Sequence, residues 1–117
     1  MHTPRLAVAA AMVTLSLSAH AAALPSEDFE ECKRTENSAR QIMKGRQAGV
    51  PKASLWELAE GAQDKYVSDL YKILIGEAYQ IPVYTSESLQ QQAVADFQKN
   101  FFSACIVTAE KRSNEKG

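Results

Sequence analysis

The sequence predicts an all-α domain: a small irregular array of three long helices and one short helix, closed by a disulfide between Cys32 and Cys105. Three observations carry that prediction. Apolar residues recur at helical spacing through three long segments. No run of alternating apolar and polar residues suggests a strand. The chain holds two cysteines, Cys32 and Cys105, behind a segment that reads as an export signal.

That segment comes first. Met1 to Arg5 is a short n-region with one positive side chain, Arg5. Leu6 to Leu17 is an apolar run without a charge, and Ser18-Ala19-His20-Ala21 offers the small-x-small pattern of a cleavage site. This order of charge, short apolar core and small residues is that of a secretory signal peptide. The run is too short for a stable anchor, which needs about 20 apolar residues. Residues 1–21 are therefore expected to be removed, with cleavage after Ala21 or, alternatively, after Ala23. A single domain, 22–117, of 96 residues then remains. In an oxidising compartment an even cysteine count in a small domain reads as a disulfide. The pair closes a loop of about 73 residues, worth roughly 4 kcal/mol on the chain-entropy model. The alternative, a reactive thiol, lacks the histidine or C-x-x-C context that would activate it.

The first helix opens at Pro25-Ser26-Glu27-Asp28, with Ser26 as the expected cap and the acids at the positive end of the dipole. Phe29, Cys32, Glu36, Ala39, Ile42, Met43 and Arg46 share one face. Gly49-Val50-Pro51 should stop it, the glycine turning left-handed and the proline forbidding continuation. Ser54-Leu55-Trp56-Glu57 matches a capping box, so a short second helix is expected from Ser54, with Leu55, Leu58 and Trp56 facing inward. Asp64 to Gln80 carries the strongest helical pattern, with Val67, Leu70, Tyr71, Leu74 and Ala78 as its stripe. Tyr66 and Ile73 widen that stripe on one side and Ile75 on the other, while Lys65, Ser68, Asp69, Lys72, Gly76 and Gln80 make the wet face. So wide a stripe suggests a central helix. Pro82 holds Ile81 to Tyr84 extended. Thr85 or Ser86 caps a last long helix ending near Lys111, with Val94, Phe97, Phe101, Ala104, Cys105 and Thr108 inward. Residues 112–117 read as a frayed tail. The disulfide joins the start of the first helix to the end of the last, so those two should be antiparallel neighbours.

Charge and composition exclude several functions. After removal of residues 1–21 the chain has 12 Lys+Arg and 14 Asp+Glu, a formal charge of −2. No basic footprint for nucleic acid is present, and no stable membrane insertion is expected after signal cleavage. Both histidines, His2 and His20, fall in the signal segment. The mature domain thus lacks the usual activator of serine and cysteine nucleophiles and the commonest zinc ligand. No phosphate-loop, dinucleotide, EF-hand or metal-spaced motif occurs, so no cofactor and no metal are expected.

What remains is a set of unusual positions. Arg46 and Glu77 are charges on apolar faces. A buried arginine needs a partner. Either Arg46 bonds Glu77, Glu36 or helix-end carbonyls and fixes helix docking, or it forms a pocket for an anion. Tyr79 and Tyr84 flank the Pro82 connection and are the tyrosines expected to be exposed. Phe102 and Ile106 lie off the last helix's stripe, either as a partner-binding patch or covered by a neighbour. Paired acids at Glu30-Glu31 and Glu57/Glu60 read as solvated charge.

Cys32, the Arg46-Gln47-Ala48-Gly49-Val50-Pro51 helix end, Ala78-Tyr79-Gln80-Ile81-Pro82, Phe97 and Cys105 together resemble a group of short, uncharacterised exported proteins of proteobacteria and their prophages. That resemblance implies a helical fold and a Gram-negative periplasmic location, and it carries no catalytic residues. The expected function is a non-enzymatic periplasmic or secreted interaction module (inhibitor, immunity-type or chaperone-like) that binds another protein through Tyr79, Tyr84, Phe102 and Ile106. The alternative is a carrier of a small apolar or anionic ligand. A carboxylate-based cell-wall hydrolase using Glu57 or Glu77 ranks last.

Overall fold

The computed structural model describes residues 24–116. The expected signal peptide, residues 1–21, lies outside them, as do Ala22, Ala23 and Gly117. Four helices follow in order: α1 (Ser26–Gln47), α2 (Lys52–Glu60), α3 (Lys65–Ala78) and α4 (Glu87–Lys116). No strand occurs among the described residues. Cys32 and Cys105 form a disulfide with 5.5 Å between their α-carbons. No helix among the described residues is long and apolar enough to cross a membrane.

α1 is the element everything else is built on. It packs along α4 as an antiparallel pair, and α3 lies along another of its sides. α2 packs on α3, while the backbones of α3 and α4 scarcely approach each other. The core follows from this. Ala39, Ile42 and Met43 of α1 meet Leu74, Ile75 and Ala78 of α3, Ala59 of α2 and Phe97 of α4. Alanines at the centre let the helix backbones come close, and the larger side chains fill the space around them.

The helix ends show why the chain turns where it does. At the end of α1 the Gly49 N–H bonds the Arg46 carbonyl and the Val50 N–H bonds the Gly45 carbonyl, each at 3.0 Å. Gly49 takes φ 84°. This is a Schellman motif, with the glycine in the left-handed region that residues with a Cβ avoid. Asp64 caps α3, its side chain accepting from the N–H groups of Tyr66 and Val67. Ser86 Oγ accepts from Leu89 N–H at the start of α4.

Several expectations need correction. Ser26 is not the α1 cap but its first residue: Pro25 holds the cap position, and its carbonyl accepts from Asp28 and Phe29. The Ser54–Glu57 box does not start α2, because the turn at Gly49 ends on Pro51 and the helix begins at once at Lys52. α4 does not end near Lys111 but runs to Lys116, since no glycine or proline interrupts it before Gly117. On α3, Ser68 is buried, whereas Tyr66 and Ile73 are each 57 % exposed. The stripe is rotated toward Ile75 because α3 is held by α1 and α2 and left open toward α4. On α2, Leu58 points outward at 71 % exposure, and Leu55 and Trp56 pack against the core. On α4, Ala104 and Thr108 are exposed, and Ala109 is buried in their place.

Candidate interaction groove

The four residues expected to form one interaction surface are far apart. Tyr79 sits over the Arg46 guanidinium, 4.7 Å from ring centroid to the guanidinium carbon, and its hydroxyl donates to the Val50 carbonyl. Burial holds the Tyr79 phenol above the ordinary tyrosine range, and Arg46 opposes that shift. Tyr84 is half-buried, its N–H bonded to Gln47 Oε1 at 2.9 Å. Phe102 lies at the other end of α1. It meets Phe29 edge-on at 6.1 Å and is approached by Lys33 Nζ at 5.7 Å. Ile106, one turn on, is half-buried. Arg46 and Phe29 are 17 positions apart on α1, which is about 25 Å of helix. A single patch through all four residues therefore does not form.

The expected Arg46–Glu77 ion pair does not form either. Glu77 is exposed. Arg46 instead donates from Nε to the Ile81 carbonyl at 2.8 Å. The physical reason is the company it keeps. α1 ends at Gln47 and α3 at Ala78, so two helix C-termini, each partly negative, converge on this guanidinium. Those dipoles suit a cation and disfavour an added anion, so Arg46 acts as a clamp between two helix ends and the 79–84 connection. Beside it, Gln47 is only 6 % exposed. Its Nε2 donates to the Pro82 carbonyl at 2.8 Å, and its Oε1 accepts from Tyr84 N–H.

The feature with the capacity to bind is a groove between α3 and α4. α1 forms its floor with Thr35, and Cys105 of α4 lies against it. Tyr66, Leu70 and Ile73 line the α3 wall. Phe101, Ala104 and Thr108 line the α4 wall, and Glu31, Asp69 and Arg112 stand at its rim. Its volume is about 420 Å³. The groove exists because α3 and α4 both pack on α1 while their backbones stay apart. At its open end the Tyr66 hydroxyl donates to the Glu31 carboxylate. That bond is the main reason the Tyr66 phenol titrates above the ordinary range, with desolvation second. Asp69 is held by Lys65 at 2.7 Å, an exposed pair that keeps its carboxyl below its ordinary range.

A second, smaller crevice of about 330 Å³ lies on the other flank of α3. Ile42, Leu55, Leu58 and Ile75 line it, and Ser38 Oγ donates to the Tyr71 hydroxyl at 3.4 Å. Trp56 lies nearby on α2. Lys52 and Lys72 approach its ring at 5.9 and 5.5 Å, and its indole N–H bonds Glu60. Glu60 also pairs with Lys72 at 3.1 Å, so this acid is engaged by two partners, and Glu57 beside it is exposed.

Sequence reasoning placed Tyr66 and Ile73 at the edge of the α3 stripe and assigned them to packing. The signal was present: a stripe too wide for two neighbouring helices leaves one edge bare. Compared with family models, with curated proteins and with solved structures, the chain finds no match.

Proposed function

We propose that this chain is a non-enzymatic, exported interaction module that holds a short amphipathic helix of another protein in the α3–α4 groove. The observation that carries the reading is the pair of large side chains, Tyr66 and Ile73, left 57 % exposed on the wall of a formed groove. With Leu70 between them they present about two turns of apolar helix surface, roughly 10 Å long. A partner helix with apolar residues at i, i+3 or i+4, and i+7 matches that span. At the rim Glu31 is bonded by Tyr66 and Asp69 is paired with Lys65, so the apolar wall rather than charge sets the match. The disulfide supports an oxidising compartment, periplasmic or extracellular, in agreement with the signal-like N-terminus and the resemblance to exported proteobacterial proteins.

Site-specific photocrosslinking tests this. A photoreactive side chain is placed at Ile73 or Thr108, with Leu58 and Val83 as exposed controls away from the groove. One discrete heteromeric adduct from the groove positions and none from the controls is the expected result. No adduct, or equal adducts from all four positions, would sink the proposal. A mass of two copies would mean self-association instead.

The crevice between α1, α2 and α3 favours a second reading, a carrier of a small apolar ligand. Native mass spectrometry of unreduced protein from its source distinguishes the two, since a carrier shows a small passenger mass. Cleavage of purified peptidoglycan that is lost in Glu57→Gln or Glu77→Gln would replace both with an enzyme.

A further inference from the structure

We infer that the Cys32–Cys105 disulfide is a redox latch on the α3–α4 groove: reduction frees the C-terminal part of α4 and dismantles one wall while the core stays folded. The inference rests on the groove being the binding site and adds its regulation.

The distribution of contacts carries it. Every core-cluster residue of α4, together with the half-buried side chains packed against the cluster, lies at or before Phe101. Beyond Cys105 only Ala109 is fully buried and Ile106 is half-buried, so this stretch holds far less apolar area than the part of α4 before it. The ion pair there, Arg112 to Asp28, is 4.0 Å long with the arginine side chain 55 % exposed, so it contributes little. Residues 104–116 are the open end of a 30-residue helix whose core contacts lie at or before Phe101, the kind of end that frays once it is no longer held. The disulfide is thus the main tie holding this stretch against α1. Three of the wall and rim residues, Ala104, Thr108 and Arg112, belong to it.

The two sulfurs also differ in access. Cys32 is 1 % exposed, whereas Cys105 is half-buried and lines the groove. A thiolate of a dithiol reductant attacks Cys105 Sγ from the groove. The S–S bond breaks, and Cys32 leaves as a thiolate that takes a proton from water. The reductant's second thiolate then attacks its own sulfur in the mixed disulfide. Cys105 is released as a thiolate and protonated, and the reductant departs as a cyclic disulfide, having supplied two electrons. A partner helix seated in the groove covers Cys105 and blocks the first step, so a loaded groove stays latched and an empty one opens.

Hydrogen exchange of the processed protein, with and without dithiothreitol, tests the latch and needs no partner. On reduction, amides of 104–116 should fall to within about tenfold of unprotected rates, while those of 39–47 and 70–78 stay far more protected, losing no more than the roughly thousandfold that the lower global stability imposes on every amide. Equal residual protection in all four helices overturns the latch, as does unchanged protection in 104–116. The Cys32→Ala/Cys105→Ala variant should reproduce the reduced pattern without reductant. Trapping with glutathione, a monothiol, should place the first mixed disulfide on Cys105, and finding it on Cys32 overturns the attack from the groove. A negative crosslinking result at Ile73 alongside a positive exchange result would remove the partner and leave the latch.

Discussion

Gln47 has partners at both ends of its amide: the Pro82 carbonyl at 2.8 Å and the Tyr84 N–H at 2.9 Å. Gln47→Leu leaves both backbone groups without a side-chain partner near the core. It should cost about 2–4 kcal/mol, read as a lowered urea midpoint with unchanged slope. This role was not legible in the sequence, because a glutamine in the last turn of a helix looks like ordinary surface. Arg46 beside it was partly legible. Its position on an apolar face demanded a partner, but that partner is a carbonyl 35 residues on, which no spacing rule supplies. Tyr66 makes a pH prediction. Its bond to Glu31 favours the neutral phenol, so its pKa is raised. The stabilisation is fully present below the unfolded tyrosine value of about 10 and is lost as pH rises through the folded value. Tyrosinate absorbance should show Tyr66 and Tyr79 titrating late, and Tyr66→Phe and Tyr79→Phe should each remove one late step.

At the scale of elements, two glycines predict opposite signs. A Cβ on Gly49 would meet nothing within 4 Å, yet its φ of 84° belongs to the left-handed region. Gly49→Ala should therefore cost about 1–2 kcal/mol from conformation alone. Gly76 lies inside α3, also with open space around a Cβ. Gly76→Ala should stabilise by about 0.5–1 kcal/mol. Asp64→Ala removes the α3 cap and should lower stability by about 1 kcal/mol. Thermal melts of the three variants against the parent check all of these. Helix number and order were legible because Gly49, Pro51, Gly61 and Pro82 punctuate the apolar pattern. The starts of α1 and α2 were less so. In each a proline precedes the serine or capping box that looked like the beginning, and the helix follows the proline.

For the molecule as a whole, the pairing of Cys32 with Cys105 and the antiparallel run of α1 against α4 were both legible from two cysteines near opposite helix ends. The groove was not. It depends on the α3 and α4 backbones staying apart, and such a gap leaves no mark on either helix's own periodicity. Cys32→Ser/Cys105→Ser removes a link across 73 positions and should lower global stability by roughly 4 kcal/mol, measured as the difference in unfolding free energy in urea. The central place of α1 also sets the order of events during folding. α2 and α3 are near neighbours in the chain and can find each other quickly, but the longest face of α1 waits for α4, which lies at the far end. Closing that distance is an entropic search, and search times lengthen with sequence separation. The oxidised chain has already made the closure, so it should refold faster than the double-serine chain at the same denaturant concentration. The molecule's slowest folding step is then whichever event first brings residue 105 to residue 32.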